Sequence, residues 1–260
     1  MHTLIPIINI QELEVLVFEN RKIMGRAAAQ DAAACIISVL KSKEELNIIF
    51  AAAPSQNDFL EALLQHNLPW NQINAFHMDE YVGLPAAAPQ AFGNFLRERI
   101  FDKVPFKSIN YLNGGSANPS DECERYADLL SRHPVDIVCM GIGENGHIAF
   151  NDPPVADFND PLMVKKVTLD AMCRQQQVND GCFRTLDKVP EEALTLTVPA
   201  LLDASFVFSI VPGKTKAAAV KNTLLGPVEE NCPASILQKH KNARLYLDPE
   251  SFSDSAAVLS

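Results

Sequence analysis

The stretch that decides the reading is Val135-Asp136-Ile137-Val138-Cys139-Met140-Gly141-Ile142-Gly143-Glu144-Asn145-Gly146-His147-Ile148-Ala149-Phe150-Asn151-Asp152. Its first six residues are mostly apolar and β-branched, and glycines close them. That is the pattern of a short strand buried on both faces of a parallel sheet. Gly141, Gly143 and Gly146 let the backbone turn sharply and come close to a ligand. Directly behind them stand an amide, Asn145, an imidazole, His147, and a carboxylate, Asp152. A strand end, a glycine turn and a titratable trio are the parts of a polar reaction site in an α/β protein. The same turn also suits a structural histidine, and spacing alone does not choose between them.

Three further segments have the form of a strand running into a loop. Residues 46–51 are apolar and lead into Ala52-Ala53-Pro54-Ser55-Gln56-Asn57, followed by a helical pattern over 58–65. A small-residue loop before a helix start suits an anion, because free N–H groups and the helix dipole point outward. Ser55 is equally suited to a helix cap. Residues 73–78 form another strand and end in Asp79-Glu80-Tyr81-Val82-Gly83-Leu84. A carboxylate there lies where open α/β sheets bind ligands, although Asp79 could also anchor the loop. His77 and Asp79 share a strand face, but two ligands are too few for a metal site. Residues 204–211 form the last strong strand and enter Pro212-Gly213-Lys214-Thr215-Lys216, then the helix Ala217–Leu225, which Gly226-Pro227 ends. The full G-x-x-x-x-G-K-[ST] pattern is absent.

Elsewhere the pattern predicts a short edge strand at 4–8 and one long alanine-rich helix over about 11–42. It predicts amphipathic helices at 91–102 and 121–132, with a turn at Asn113-Gly114-Gly115 between them. A closing helix near 235–239 and a strand at 244–247 finish the chain. Pro153, Pro154 and Pro161 exclude a continuous helix, so 153–166 reads as a surface excursion. The region of about 153–182 is a candidate lid over the site. The expected fold is α/β: a single domain over 1–260, a three-layer α/β/α sandwich with a mainly parallel, Rossmann-like sheet.

Composition narrows the function classes. The 260 residues carry a formal net charge of −10, which argues against a broad nucleic-acid or membrane surface. It leaves room for a phosphorylated small molecule in a local cationic pocket. No apolar run is long enough to cross a bilayer, and the opening Met1-His2-Thr3-Leu4-Ile5-Pro6 lacks the basic start of a signal peptide. The six cysteines show no CxxC pattern and read as reduced thiols of a cytoplasmic protein.

Taken together, the chain resembles the glucosamine-6-phosphate deaminase/isomerase family, which shares its fold with the 6-phosphogluconolactonases. The resemblance is sharpest in Met78-Asp79-Glu80-Tyr81-Val82-Gly83-Leu84-Pro85 and in 143–153, and weaker at 194–204 and 213–216. It implies conversion of an amino-sugar 6-phosphate to fructose 6-phosphate and ammonia without metal or organic cofactor. It implies that His147 assists ring opening, oriented by Asn145 and Asp152. Asp79 would move a proton between C2 and C1. Ala52, Ala53, Ser55, Gly143 and Lys216 would bind the substrate. The partner is then a small sugar phosphate, with no nucleic acid and no membrane, and self-association into a homo-oligomer is left open.

Several positions depart from the family pattern. Asn145 stands where members carry Asp or Asn, and Asp152 stands where Glu is usual. The phosphate loop is Ala52-Ala53-Pro54-Ser55, in which Pro54 lacks an N–H. A phosphate-binding arginine has no clear equivalent near Asn179-Asp180-Gly181-Cys182-Phe183, and Arg174 and Arg184 are the candidates to replace it. The alternatives are a 6-phosphogluconolactonase-like hydrolase and a non-catalytic sugar-phosphate sensor. Asp79-Glu80-Tyr81 and Asn151 after Phe150 favour the deaminase.

Overall fold

A computed structural model describes residues 3–85 and 87–259. Met1 and His2 of the opening stretch lie outside the described residues. In chain order the elements are β1 (Ile8–Ile10), β2 (Leu13–Val17), α1 (Arg21–Val39), β3 (Leu46–Phe50), α2 (Asn57–Leu63), β4 (Ile73–His77), β5 (Asp79–Tyr81) and α3 (Phe92–Leu96). They continue with β6 (Ser108–Asn110), α4 (Pro119–Arg132), β7 (Ile137–Met140), β8 (Val164–Thr168), α5 (Ala171–Asn179), β9 (Glu192–Leu196) and α6 (Val198–Leu202). The last are β10 (Phe206–Val211), α7 (Ala217–Leu225), β11 (Ala243–Leu247), α8 (Pro249–Phe252) and α9 (Ala256–Leu259).

Eight strands form one sheet in the order β1-β2-β11-β10-β7-β3-β4-β6. All its pairings are parallel except β1 with β2. Alternate residues of each central strand feed two separate cores. Ile137, Cys139, Phe208 and Ile210 pack with α1 and α2, whereas Val138, Met140, Val207 and Val211 pack with α4 and α7. Both faces are therefore covered, which is why these strands read as unbroken apolar runs.

The expected three-layer sandwich is present, with local differences. The edge strand lies at Ile8–Ile10, not 4–8, and pairs with β2. The long helix is shorter than its pattern: Leu13-Glu14-Val15-Leu16-Val17 is a strand, and α1 starts only after Asn20. The Asn20 side chain accepts the Ile23 N–H at 3.0 Å and so fixes that start. The excursion after Pro153 ends at residue 163, and β8 begins at Val164 rather than after 166. β8 joins β9 and β5 in a second, antiparallel sheet of three strands that the sequence reading did not anticipate.

Close approach of α1 to α2 sets the position of the 52–55 loop. A Cβ on Gly25 would lie 2.8 Å from Asp58 Cβ and 3.0 Å from the Phe59 nitrogen. Gly25→Ala gains about 1 kcal/mol of helix propensity. Overpacking typically costs about 1–3 kcal/mol. Because the opposing atoms are backbone and Cβ, which cannot swing aside, overpacking should win. The expected result is a lower midpoint in chemical denaturation, and a midpoint equal to or above wild type would contradict it.

Candidate active site

The loops after the carboxyl ends of β3, β4, β7 and β10 border a cleft of about 450 Å³. Ala52, Ala53, Ser55, Asp79, Gly143, His147 and Lys216 all line it. Asn145 and Asp152 stand behind His147 rather than on the wall. A hollow of similar size, about 470 Å³, lies where β10 and β11 begin and holds none of these residues.

The turn after β7 is built around the imidazole. Gly143 N–H donates to His147 O at 2.9 Å, and Gly146, at φ +86°, closes the loop with a 3.0 Å bond to Gly143 O. A Cβ on Gly143 would fall 2.1–2.3 Å from three atoms of the His147 ring, so only glycine leaves room for it. His147 Nδ1 lies 2.7 Å from Asn145 Oδ1 and 2.9 Å from Asp152 Oδ1. Asn145 Nδ2 donates to the same Asp152 oxygen at 2.9 Å. Burial would raise the Asp152 carboxyl, but the hydrogen bonds and charge of His147, with the Asn145 amide, hold it below its ordinary value. Asp152 therefore stays an acceptor and keeps the Nδ1 side of the ring oriented toward it. Ala149, a non-glycine at φ 47°, also lines the cleft; such strain clusters at working sites.

Asp79 enters where the chain leaves the main sheet for the second one. It is 7 % exposed and pairs in register with Thr195 of β9. The Thr195 hydroxyl accepts the Phe150 N–H at 3.1 Å, so one buried threonine ties the glycine-turn loop to the strand of Asp79. Burial first, and the neighbouring Glu80 carboxylate second, raise the Asp79 carboxyl well above its ordinary value. Glu80 itself accepts three backbone N–H groups, from Tyr81, Phe92 and Gly93, at 2.9–3.0 Å. His77 is scaffold, not a metal ligand. Its Nδ1 meets Asp79 O at 3.0 Å and its Nε2 accepts the Leu112 N–H at 2.9 Å. Burial lowers it to about 4, so it remains the neutral ring these two bonds require.

Lys216 is 7 % exposed, and among the described residues no carboxylate lies within 4.0 Å of its ammonium. Burial lowers it, while the more distant Asp180 and Glu144 raise it. Lys214, two residues earlier, also borders the cleft, but its ammonium is held by Asp254 and Ser253, at 2.7 Å each. A buried ammonium without a counter-charge, facing a cleft, is an anion site in waiting. Neither arginine suggested by the sequence reaches it. Arg174 donates to Leu186 O and Val189 O, and Arg184 is exposed and does not line the cleft. Arg21, from the first turn of α1, does line it, held by Asp58 at 2.5 Å and Pro54 O at 3.1 Å. The sequence reading also missed Gln176, Gln177 and Asp180 of the α5 segment, which border the cleft. Only the polar Arg174-Gln175-Gln176-Gln177 run hinted at them.

His147, Asp152 and Cys173 bring an N, an O and an S donor within 4.8 Å of one another, the one such group among the described residues. Asp152 Oδ1 and His147 Nδ1 already bond each other and Asn145, so the group is a hydrogen-bonded cluster.

Residues 19–246 match the family profile described as glucosamine-6-phosphate isomerases/6-phosphogluconolactonase. The chain belongs to this family. Among curated relatives, glucosamine-6-phosphate deaminase of Bacillus cereus (strain B4264) is 34% identical over 218 residues, 84% of this chain and 81% of the relative. That of Bacillus thuringiensis (strain Al Hakam) has the same identity and coverage. Among solved structures, a monomeric glucosamine-6-phosphate deaminase superposes with a TM-score of 0.84 at 29% identity, covering 92% of this chain and 99% of that one. A 6-phosphogluconolactonase from Thermotoga maritima superposes with a TM-score of 0.74 at 20% identity, covering 91% and 99%, a likeness of fold. No described helix of this family member is long and apolar enough to cross a membrane.

Proposed function

We propose that this enzyme deaminates and isomerises an amino-sugar 6-phosphate, glucosamine 6-phosphate, to fructose 6-phosphate and ammonia. The observation that carries the reading is one cleft shared by an unpartnered buried ammonium, a buried carboxyl with raised pKa and an imidazole held by a carboxylate. Lys216 binds the phosphate with Ser55, the Ala52–Ala53 backbone and Arg21, which stands in for the family's arginine. His147 moves the anomeric proton to the ring oxygen and opens the sugar. Asp79 removes the C2 proton while O1 takes one from the substrate's ammonium, giving an enolamine, and Asp79 then returns its proton to C1. Water adds to the resulting C2 iminium and ammonia leaves. The C2–C1 transfer needs a carboxyl able to be both acid and base, which a raised pKa favours. The segment around α5 covers the cleft. A cytoplasmic location suits the sugar-phosphate substrate.

The direct test is release of ammonia and fructose 6-phosphate from glucosamine 6-phosphate. Hydrolysis of 6-phosphogluconolactone without ammonia release would assign the lactonase chemistry instead. Lys216→Ala should raise KM roughly 10- to 100-fold, the range of a lost hydrogen bond to a charged group, with a smaller change in kcat. The phosphate lies far from the reacting carbons and contributes mainly to binding. Steady-state kinetics with unchanged KM would remove Lys216 from the phosphate site.

A further inference from the structure

Asp152 is 1 % exposed, yet only one of its carboxylate oxygens has a nitrogen donor. Oδ1 takes both His147 and Asn145, and Oδ2 takes neither. A buried carboxylate oxygen without a donor is costly and leaves the group free to pivot about its last bond. The thiol of Cys173, on α5 and itself 1 % exposed, lies close to this carboxylate without yet being bonded to Oδ2. Its sulfur lies within 4.8 Å of both an Asp152 oxygen and a His147 ring nitrogen. Burial first, and the Asp152 carboxylate second, push this thiol well above its ordinary value. It keeps its proton and can act toward Asp152 only as a donor.

We propose that Cys173 is a positioning residue: its S–H donates to the otherwise unpartnered Asp152 Oδ2, stops the carboxylate from pivoting, and so aims His147 into the cleft. The same helix reaches the glycine-turn loop a second time, where Gln176 Oε1 accepts the Glu144 N–H at 2.8 Å. Seating of α5 over the cleft and alignment of the Asn145–His147–Asp152 trio are therefore one event. An α5 that lifts away takes the donor with it and releases the carboxylate. The kinetic consequence rests on the deaminase reading; the hydrogen bond itself does not.

The test compares Cys173→Ala with Cys173→Ser in the full-length enzyme. Loss of the donor should lower kcat about tenfold, the lower end of what a hydrogen bond to a charged group contributes, with little change in KM. It should also move the acid limb of the pH profile upward, because the charged form of Asp152 loses a stabilising donor. The titratable groups facing this pair are His147 toward Asp152, and Asp79, Asp170 and Lys216 toward Cys173. Serine retains a donor and should recover most of the rate and return the limb. Alanine with wild-type kcat and an unmoved limb, or serine as impaired as alanine, would overturn the proposal. A second measurement needs no substrate and no folded alanine variant. The S–H stretching band that disappears in Cys173→Ser should shift to higher frequency in Asp152→Asn, whose amide is a weaker acceptor. A band that does not move shows that the thiol is not bound to Asp152. If wild type releases no ammonia from glucosamine 6-phosphate, the deaminase reading fails while this infrared arm still decides the role of Cys173.

Discussion

Asp79→Asn should fold, bind the sugar phosphate and turn it over roughly 100- to 10,000-fold more slowly, the range contributed by a positioned acid–base group. Asparagine keeps the size and much of the hydrogen bonding of aspartate but cannot accept the C2 proton. Folding is not at risk. A carboxyl whose pKa is raised in the folded state adds stability below its unfolded pKa and loses it as pH rises through the folded one. At neutral and alkaline pH the wild type therefore carries a buried group that resists ionisation, and asparagine removes it. The variant should be at least as stable as wild type at pH 8. The raised pKa also fixes a sign in wild type: activity should fall with decreasing pH earlier than an ordinary aspartate would allow. Deuterium exchange at C2, followed by NMR, isolates the step. Exchange at the wild-type rate in Asp79→Asn would make Asp79 a structural residue at a strand end.

Gly143→Ala should cost at least about 100-fold in turnover, as much as removing the imidazole, while leaving the fold intact. Its Cβ would lie 2.1 Å from His147 Cε1 and 2.3 Å from both ring nitrogens. No adjustment of a few tenths of an ångström relieves that, so the ring must leave its place and its bonds to Asn145 and Asp152. The backbone tolerates the change, because positive φ in this turn falls on Gly146, not Gly143. His147→Gln is the reference variant. If the imidazole serves ring opening, an analogue already in the open-chain form should partly rescue both Gly143→Ala and His147→Gln. It should leave Asp79→Asn slow. Wild-type turnover in Gly143→Ala would show that the position of the ring is not required.

The parts of the site legible in the sequence were those carried by local pattern. The runs at 46–51, 73–78, 135–140 and 204–211 read as buried strands because residues facing both ways along them are apolar. The loop after each run held Ser55, Asp79, His147 or Lys216 close by in sequence. The tract 11–42 misled because the alanines of α1 extended a helical periodicity back across β2. The β-branched Val15 and Val17, with Asn20 as a cap, were the missed signal.

The sequence by itself determined the parallel α/β sandwich, the glycine turn and the kinds of group available for chemistry, because each depends on neighbours a few residues apart. Only the tertiary structure decided which of those groups meet. Asp79 pairs with Thr195, and Thr195 holds Phe150, through contacts between segments distant along the chain. Of the two lysines that border the cleft, Lys214 gives its ammonium to Asp254 and Ser253, whereas Lys216 keeps its own free for a ligand. Arg21 reaches the cleft because Gly25 lets α1 settle against α2, and Cys173 meets Asp152 because α5 folds back over the trio. Such pairings leave no local periodicity; they arise when packing two faces of a sheet fixes where the loops at its carboxyl edge can go.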